Sequence, residues 1–171
     1  MTTLRALVAV FAAWAFYRAG AEMGARYFAR ERQLREVRSA LRALETEIVY
    51  GRTLLPDACA RLSSTLGAGG RLLAGFGEAL ADEPTALAAW AAAVDSLRPH
   101  LALDDEDRRI LASLGPCLGQ SDPTDQAAHL ALVREMLAER EQGAAAEAQR
   151  SGRLWGYLGV LGGLGFVLLV W

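Results

Sequence analysis

Residues 33–62 read QLREVRSALRALETEIVYGRTLLPDACARL, and the first half of this stretch has an apolar residue at every third or fourth position. Such spacing forms one apolar stripe along an α-helix. Gly51 is placed to end that helix with a positive φ, and Pro56 suits the first turn of a second helix. The stretch therefore predicts a helix, an elbow and a second helix that folds back, which is also the pattern of an ordinary helical hairpin in a core. The stripe consists of Leu34, Val37, Leu41, Leu44 and Ile48.

Short helical segments continue on the C-terminal side of this hairpin. We expect them over 56–66, 71–81 and 84–98, then from 103 to Gly119, and again from Pro123 onward. Residues 67–70, Gly-Ala-Gly-Gly, are predicted to be a flexible break. The fold class is therefore all-α, an antiparallel bundle of about six helices. The expected inward residues are Leu72, Leu73, Phe76, Leu80, Leu87, Trp90, Ala91, Val94, Leu97, His129, Leu130, Val133 and Leu137.

Composition excludes some chemistry and gives the charge an uneven distribution. All 18 basic residues are arginine, so neither a P-loop lysine nor a Schiff-base lysine exists. Residues 18–52 contain eight arginines and five acids, whereas residues 78–107 contain eight acids and only Arg98. A basic segment beside a membrane and an acidic segment away from it suit a tethered domain, although acids that merely solvate loops and helix starts also explain much of the pattern.

The candidate catalytic and metal-ligating residues favour structural roles. Residues 104–107 are four consecutive acids at the start of a helix, where a cap and the helix dipole favour carboxylates, and the calcium-loop glycine and glutamate are missing. Cys59 and Cys117 are predicted to be reduced and buried, and His129 to be a hydrogen-bonded packing residue. We predict no catalytic residue, no metal and no cofactor.

Both ends of the chain are apolar. Residues 154–171 carry no charge and would extend about 27 Å as a helix, which predicts a C-terminal transmembrane helix. Residues 1–25 predict an N-terminal transmembrane or anchor helix, with a leader cleaved at Ala19-Gly20-Ala21 as the alternative. Small residues at steps of four, three and four suggest a membrane helix-packing face, although glycines tolerated in a lipid-facing helix fit equally well. These residues are Gly152, Gly156, Gly159 and Gly163.

Arginines on the inner side of both predicted spans favour a cytoplasmic location for residues 26–153 under the positive-inside rule. The same placement argues against nucleic-acid binding, because the basic residues would face a membrane. From the residues alone, the chain is a membrane-anchored helical interaction domain. A secreted or periplasmic helical domain with a C-terminal anchor remains the alternative.

Three segments resemble the stage III sporulation protein AB family: LETEIVYGRTLLPDACARLS from Leu44, DRRILASLGPCLGQSDPTDQAAHL from Asp107, and YLGVLGGLGFVLLV from Tyr157. The resemblance implies a sporulation protein of the trans-envelope complex between mother cell and forespore. Its domain would be similar to the cytoplasmic helical domains of type II secretion and type IV pilus platform proteins.

The resemblance also implies a location and partners. The location would be the mother-cell or outer forespore membrane. The partners would be a cytoplasmic secretion-type ATPase, stage III sporulation protein AA, together with membrane lipid and other membrane subunits; homo-oligomerisation stays open. The chain would act as a non-enzymatic scaffold. The candidate partner-binding residues are Glu45, Glu47, Tyr50 and Gly51 at the elbow, and Asp82, Glu83, Asp104 and Asp105 in the acidic segment.

Overall fold

The computed structural model describes residues 2–51, 53–64, 67–119 and 122–170, without the side chains of 2–10, 12, 13, 123, 153, 156, 159 and 166–170. Within these residues the secondary structure is entirely helical, which confirms the all-α fold class. The helices are Thr2–Thr46 (α1), Leu55–Leu62 (α2), Ala68–Asp82 (α3), Ala86–Ser96 (α4), Asp105–Ala112 (α5), Pro123–Glu147 (α6) and Arg153–Val170 (α7). π-helical turns at Glu47–Gly51 and Ala148–Gly152 follow α1 and α6, and a 3₁₀ turn at Gly115–Cys117 follows α5.

The chain forms two compact units. The bundle unit is Arg32–Gln142 and contains the end of α1, all of α2 to α5 and most of α6. The terminal-helix unit is Met1–Glu31 together with Gly143–Trp171. The division predicted from sequence at residues 26 and 153 stays a prediction.

The apolar stripe of α1 forms one wall of the core of the bundle unit. Leu34, Val37, Leu41 and Leu44 are fully buried and Ile48 is 6% exposed, as the spacing predicted. On the other side of the core, Trp90 is fully buried and its indole nitrogen donates to the Leu111 carbonyl at 2.6 Å. The ring of Phe76 meets the Trp90 ring edge-on, with 5.0 Å between centroids.

The inward face of α4 differs from the prediction. Leu87 and Ala91 are exposed, whereas Ala89 and Ala93 are buried beside Trp90. The helix begins after Thr85, whose hydroxyl accepts from the Ala88 amide. Alanine occurs on both faces of α4, so apolar periodicity could not distinguish the buried face from the solvent-exposed face.

The predicted flexible break at residues 67–70 is wrong, because α3 begins there. Gly67 has φ +105°, and the Ala68 amide donates to the Glu36 carboxylate at 2.7 Å. A Cβ on Gly69 would lie 2.4 Å from the Glu36 backbone oxygen. These glycines therefore permit a close approach of α3 to α1.

Helices α1 and α6 run antiparallel within the bundle unit and are joined by ion pairs. Glu141 pairs with Arg35 at 3.1 Å and also with Arg38, while Arg134 pairs with Glu45 further along both helices. Leu130, Val133 and Leu137 are buried as expected. His129 is exposed, with Nδ1 3.2 Å from the Asp125 carbonyl, so the predicted packing role is wrong.

The terminal-helix unit does not support the two predicted transmembrane helices. Among its described residues, none of the helices is both long and apolar enough to cross a membrane. Trp171 and the side chains of 166–170, at the end of the predicted C-terminal span, lie outside the described residues, as do those of residues 2–10 in the N-terminal one.

Glycines mediate a close contact within the terminal-helix unit. A Cβ on Gly24 would lie 2.9 Å from the Gly152 carbonyl oxygen, and a Cβ on Gly152 would lie 2.8 Å from the Phe28 ring. Gly163 is buried. The surroundings of Gly156 and Gly159 lie outside the description, so the four-glycine packing face stays a prediction.

Candidate partner-binding groove

The elbow between α1 and α2 is organised by Glu47. Its carboxylate accepts from the Thr53 hydroxyl at 2.9 Å and from Arg61 Nη1 at 3.1 Å, and its carbonyl accepts from the Thr53 amide at 3.3 Å. These bonds tie the π-helical turn to the chain that enters α2 and to its last turn. The predicted candidate Glu47 is thus bonded within the elbow.

Gly51 ends the π-helical turn without the positive φ that the sequence predicts. Within the described residues, positive φ values occur at Gly67 and Gly119, so a left-handed cap at Gly51 is ruled out. A Cβ on Gly51 would lie 2.7 Å from Thr53 Oγ1 and 2.9 Å from Glu47 Oε2. Gly51 is therefore suited to the close approach of the two side chains that hold the elbow.

A groove opens beside the elbow, with a volume of about 1000 Å³. Its walls come from the elbow and the start of α2, from the last turn of α3, and from the connection into α6. Most of its surface is apolar, because its side chains are mainly aliphatic. The lining residues are Ile48, Val49, Thr53, Leu54, Leu55, Pro56, Leu80, Gly119, Asp122, Thr124, Gln126 and Ala127.

Large apolar side chains next to the groove are exposed to solvent. The exposed fraction is 83% for Tyr50, 73% for Leu54 and 37% for Val49. Single exposed apolar residues are ordinary, but three within six positions beside an apolar groove form an exposed apolar patch, the kind of surface that interaction sites use.

Two exposed carboxylates lie near the same groove. Asp82 ends α3 and Glu83 follows it, between Leu80, which lines the groove, and Ala86, whose Cβ lies 3.1 Å from the Cβ position of groove-lining Gly119. Both acids are exposed, and no ion pair to either is found among the described residues. Acids at a helix C-terminus oppose the helix dipole, so their position does not stabilise α3.

The other two acidic candidates lie elsewhere and are bonded internally. Asp104 caps α5 in a reciprocal box with Asp107, and Arg140 from α6 pairs with Asp104 at 2.5 Å and with Asp107 at 2.8 Å. The hydrogen bond from Arg108 holds the pKa of Asp105 below its usual value, and the bond to Asp107 raises the pKa of Arg140. These contacts agree with the prediction that residues 104–107 stabilise the start of a helix.

The structure thus brings together part of the predicted set. Glu47, Tyr50 and Gly51 belong to the π-helical turn whose Ile48 and Val49 line the groove, and Asp82 and Glu83 follow groove-lining Leu80. In contrast, Glu45 pairs with Arg134, and Asp104 and Asp105 belong to the start of α5. Val49 and Leu54, which line the groove, are not among the predicted candidates, and Leu80 is predicted only as an inward residue. A usable signal was present, because Val49 and Leu54 are apolar but fall outside the α1 stripe.

The two cysteines do not form a disulfide with each other. Cys59 is buried on α2, and burial raises the pKa of its thiol to about 11. Cys117 is half-buried. Within the described residues, no group of three or more His, Cys, Asp and Glu side chains is placed to hold a metal ion.

Nearly the whole chain matches a known protein family. The family model described as stage III sporulation protein AB matches residues 5–171. The chain belongs to the stage III sporulation protein AB family. It is similar to the stage III sporulation protein AB of Bacillus subtilis (strain 168), with 31% identity over 169 residues, which is 98% of this chain and 99% of that protein.

A solved structure of a stage III sporulation protein AB shares this fold. Its TM-score is 0.65 at 30% identity, and the match covers 70% of this chain and 96% of the solved chain. The groove and its exposed apolar residues are therefore features of a family member, and the sequence-based recognition of the family is confirmed.

Proposed function

We propose that this member of the stage III sporulation protein AB family is a non-enzymatic scaffold subunit of the sporulation trans-envelope complex. In this proposal the bundle unit binds the cytoplasmic secretion-type ATPase, stage III sporulation protein AA, as a platform protein does in type II secretion. The observation that carries the docking role is the apolar groove at the elbow, with Tyr50 and Leu54 exposed beside it.

The internal use of the most conspicuous acids supports a scaffold over an enzyme. Asp104 and Asp107 are held in a helix cap and by Arg140, an arrangement that stabilises the bundle unit. The π-helical turn supports a functional role for the groove, since π-helical segments are frequent at functional sites and Ile48 and Val49 of this one line the groove.

Membrane attachment through the terminal-helix unit is part of the proposal. What supports it is a dense set of exposed apolar and aromatic side chains on α1 and α7, which water would disfavour as a continuous surface. Cytoplasmic exposure of the bundle unit rests on the arginines that flank both ends. The exposed side chains are Phe11, Trp14, Phe16, Tyr17, Leu154, Trp155, Tyr157, Leu158, Val160, Leu161 and Leu164.

The test of docking is co-purification of the full-length chain with the ATPase from sporulating cells. We expect a Tyr50→Ser and Leu54→Ser double variant to lose about tenfold or more of the bound ATPase, since exposed anchors dominate binding energy. Leu132→Ser is the matched control, because Leu132 is 57% exposed on α6 and does not line the groove. Equal ATPase recovery with the unsubstituted chain, the double variant and the control would contradict docking at this groove.

The test of orientation is the accessibility of an introduced cysteine. Ser64→Cys places a thiol at an exposed position of the bundle unit. A membrane-impermeant maleimide should label it only after the cells are opened. Labelling in intact cells would contradict the cytoplasmic location and favour the secreted alternative.

A further inference from the structure

We infer that the elbow groove binds an amphipathic helix of a partner protein that carries arginine or lysine on both sides of its apolar face. The inference deepens the proposed function, on which it rests for the existence of a docking partner. Two features carry it: the apolar walls of the groove and nearby carboxylates with which no cation of the described residues pairs. We call Asp82, Glu83 and Asp122 the acidic rim.

The shape of the site favours a helix as occupant. Protein grooves with aliphatic walls bind amphipathic helices through side chains spaced at i, i+3, i+4 and i+7. Leu54, Val49 and Leu80 all line the groove and the first two are exposed, so they can surround such a row of anchors. The described part of the chain has no strand, and so offers no sheet edge to which an extended peptide could add.

The acidic rim determines the charge of the occupant. Within the described residues no arginine or histidine pairs with Asp82, Glu83 or Asp122, whereas every acid of residues 104–107 has an arginine partner. Asp82 and Glu83 also face the unfavourable end of the α3 dipole. Cations from a partner would neutralise these carboxylates, while an acidic protein or an anionic lipid surface would be repelled.

Synthetic helical probes test the inference on the full-length chain in neutral detergent. The basic probe has leucines at the anchor spacing flanked by arginines, and the acidic probe has glutamate at each arginine position. Fluorescence anisotropy should show the basic probe binding about tenfold or more tighter, and high salt should weaken it severalfold because the rim is exposed. An Asp82→Arg and Glu83→Arg double variant should reverse the preference.

Leu54→Ser separates binding from folding. Leu54 is the N-cap of α2 and makes no side-chain capping bond, so serine at this position supplies a capping hydroxyl. The variant should keep or raise the melting temperature while binding the basic probe about tenfold less tightly. Leu132→Ser should leave probe binding unchanged, since Leu132 lies outside the groove.

Four results would overturn the inference. They are equal binding of the two probes, binding that Leu54→Ser leaves unchanged, self-association that Leu54→Ser removes, and anionic-vesicle binding that Leu54→Ser removes. The third would assign the groove to a second copy and the fourth to lipid. If the ATPase fails to co-purify but the basic probe binds as expected, the proposed partner is wrong and the inference stands.

Discussion

At the start of α5, Asp104 and Asp107 form the helix cap, pair with Arg140 and are partly or fully buried. Near the elbow, Asp82 and Glu83 are exposed and without an ion pair in the described residues. Both regions belong to the same acidic segment of the sequence. The first uses its acids at the favourable end of a helix dipole, and the second places them at the unfavourable end. The difference shows that neighbouring acids of one segment can stabilise the fold at one site and remain exposed at another, and only the exposed ones are available to a partner.

Arg140→Met tests the start of α5 and should have the largest effect on the free energy of unfolding. It would leave the fully buried Asp107 carboxylate without this cation, and breaking such a pair costs about 3 kcal/mol. Urea unfolding measures the loss. Arg109→Met is the control, because its pair with Glu106 is exposed and contributes about 0–1 kcal/mol. Similar losses in the two variants would show that the start of α5 is no more firmly bonded than the surface.

Alanine substitutions at Gly69 and Gly51 compare how tightly the start of α3 and the elbow are packed. Gly69→Ala should destabilise the chain by about 2–3 kcal/mol, because its Cβ meets the α1 backbone at 2.4 Å. Gly51→Ala should cost about 1 kcal/mol, since Thr53 and Glu47 can shift with the loss of one hydrogen bond.

The control for these glycine variants is Gly143→Ala on α6. Nothing lies within 4 Å of its Cβ position, so helix propensity should raise the stability by about 0.5–1 kcal/mol. A cost for Gly51→Ala equal to that of Gly69→Ala would mean that the elbow is as tightly packed as the start of α3. Thermal and urea unfolding of the three variants give the comparison.

Neutralising the acids should change the stability of the chain in opposite directions in the two regions. Asp82→Asn combined with Glu83→Gln should stabilise the chain by about 0.3–1 kcal/mol, because both charges oppose the α3 dipole. Asp105→Asn removes a favourable first-turn charge from α5 and should destabilise it slightly. Chemical denaturation at low salt resolves the signs; a loss in the first variant would reveal a structural role for Asp82 or Glu83.

The smallest effect concerns the titration of Asp105. Arg108 lowers its folded-state pKa below the ordinary 3.8, so its contribution to stability is present above that pH and is lost as the pH falls through the lower folded value. Carboxyl NMR signals should show Asp105 titrating below 3.8. Arg108→Met should move the pKa upward, and an unchanged titration would assign the shift to another cause.

The sequence alone was sufficient for the family, the all-helical class and the α1 stripe. The stripe could be predicted because the helix repeat forces Leu34, Val37, Leu41, Leu44 and Ile48 onto one side, and apolar side chains on one side must be buried. The cap of α5 could also be predicted from the sequence, since acids at the start of a helix accept hydrogen bonds from the free amides of the first turn.

Only the tertiary structure decided what the remaining residues do. Leu54 and Leu80 are far apart in sequence and line one groove because α3 returns beside the elbow. The local sequence at Gly69 predicts a break, but this glycine allows α3 to approach Glu36 of α1, a contact that no local pattern indicates. Asp104 and Asp82 have the same side chain and lie at opposite ends of their helices, but only the fold brings Arg140 of α6 to Asp104, whereas no described cation pairs with Asp82. Local spacing determines which face of a helix is apolar, whereas the packing of distant segments determines which polar groups remain available.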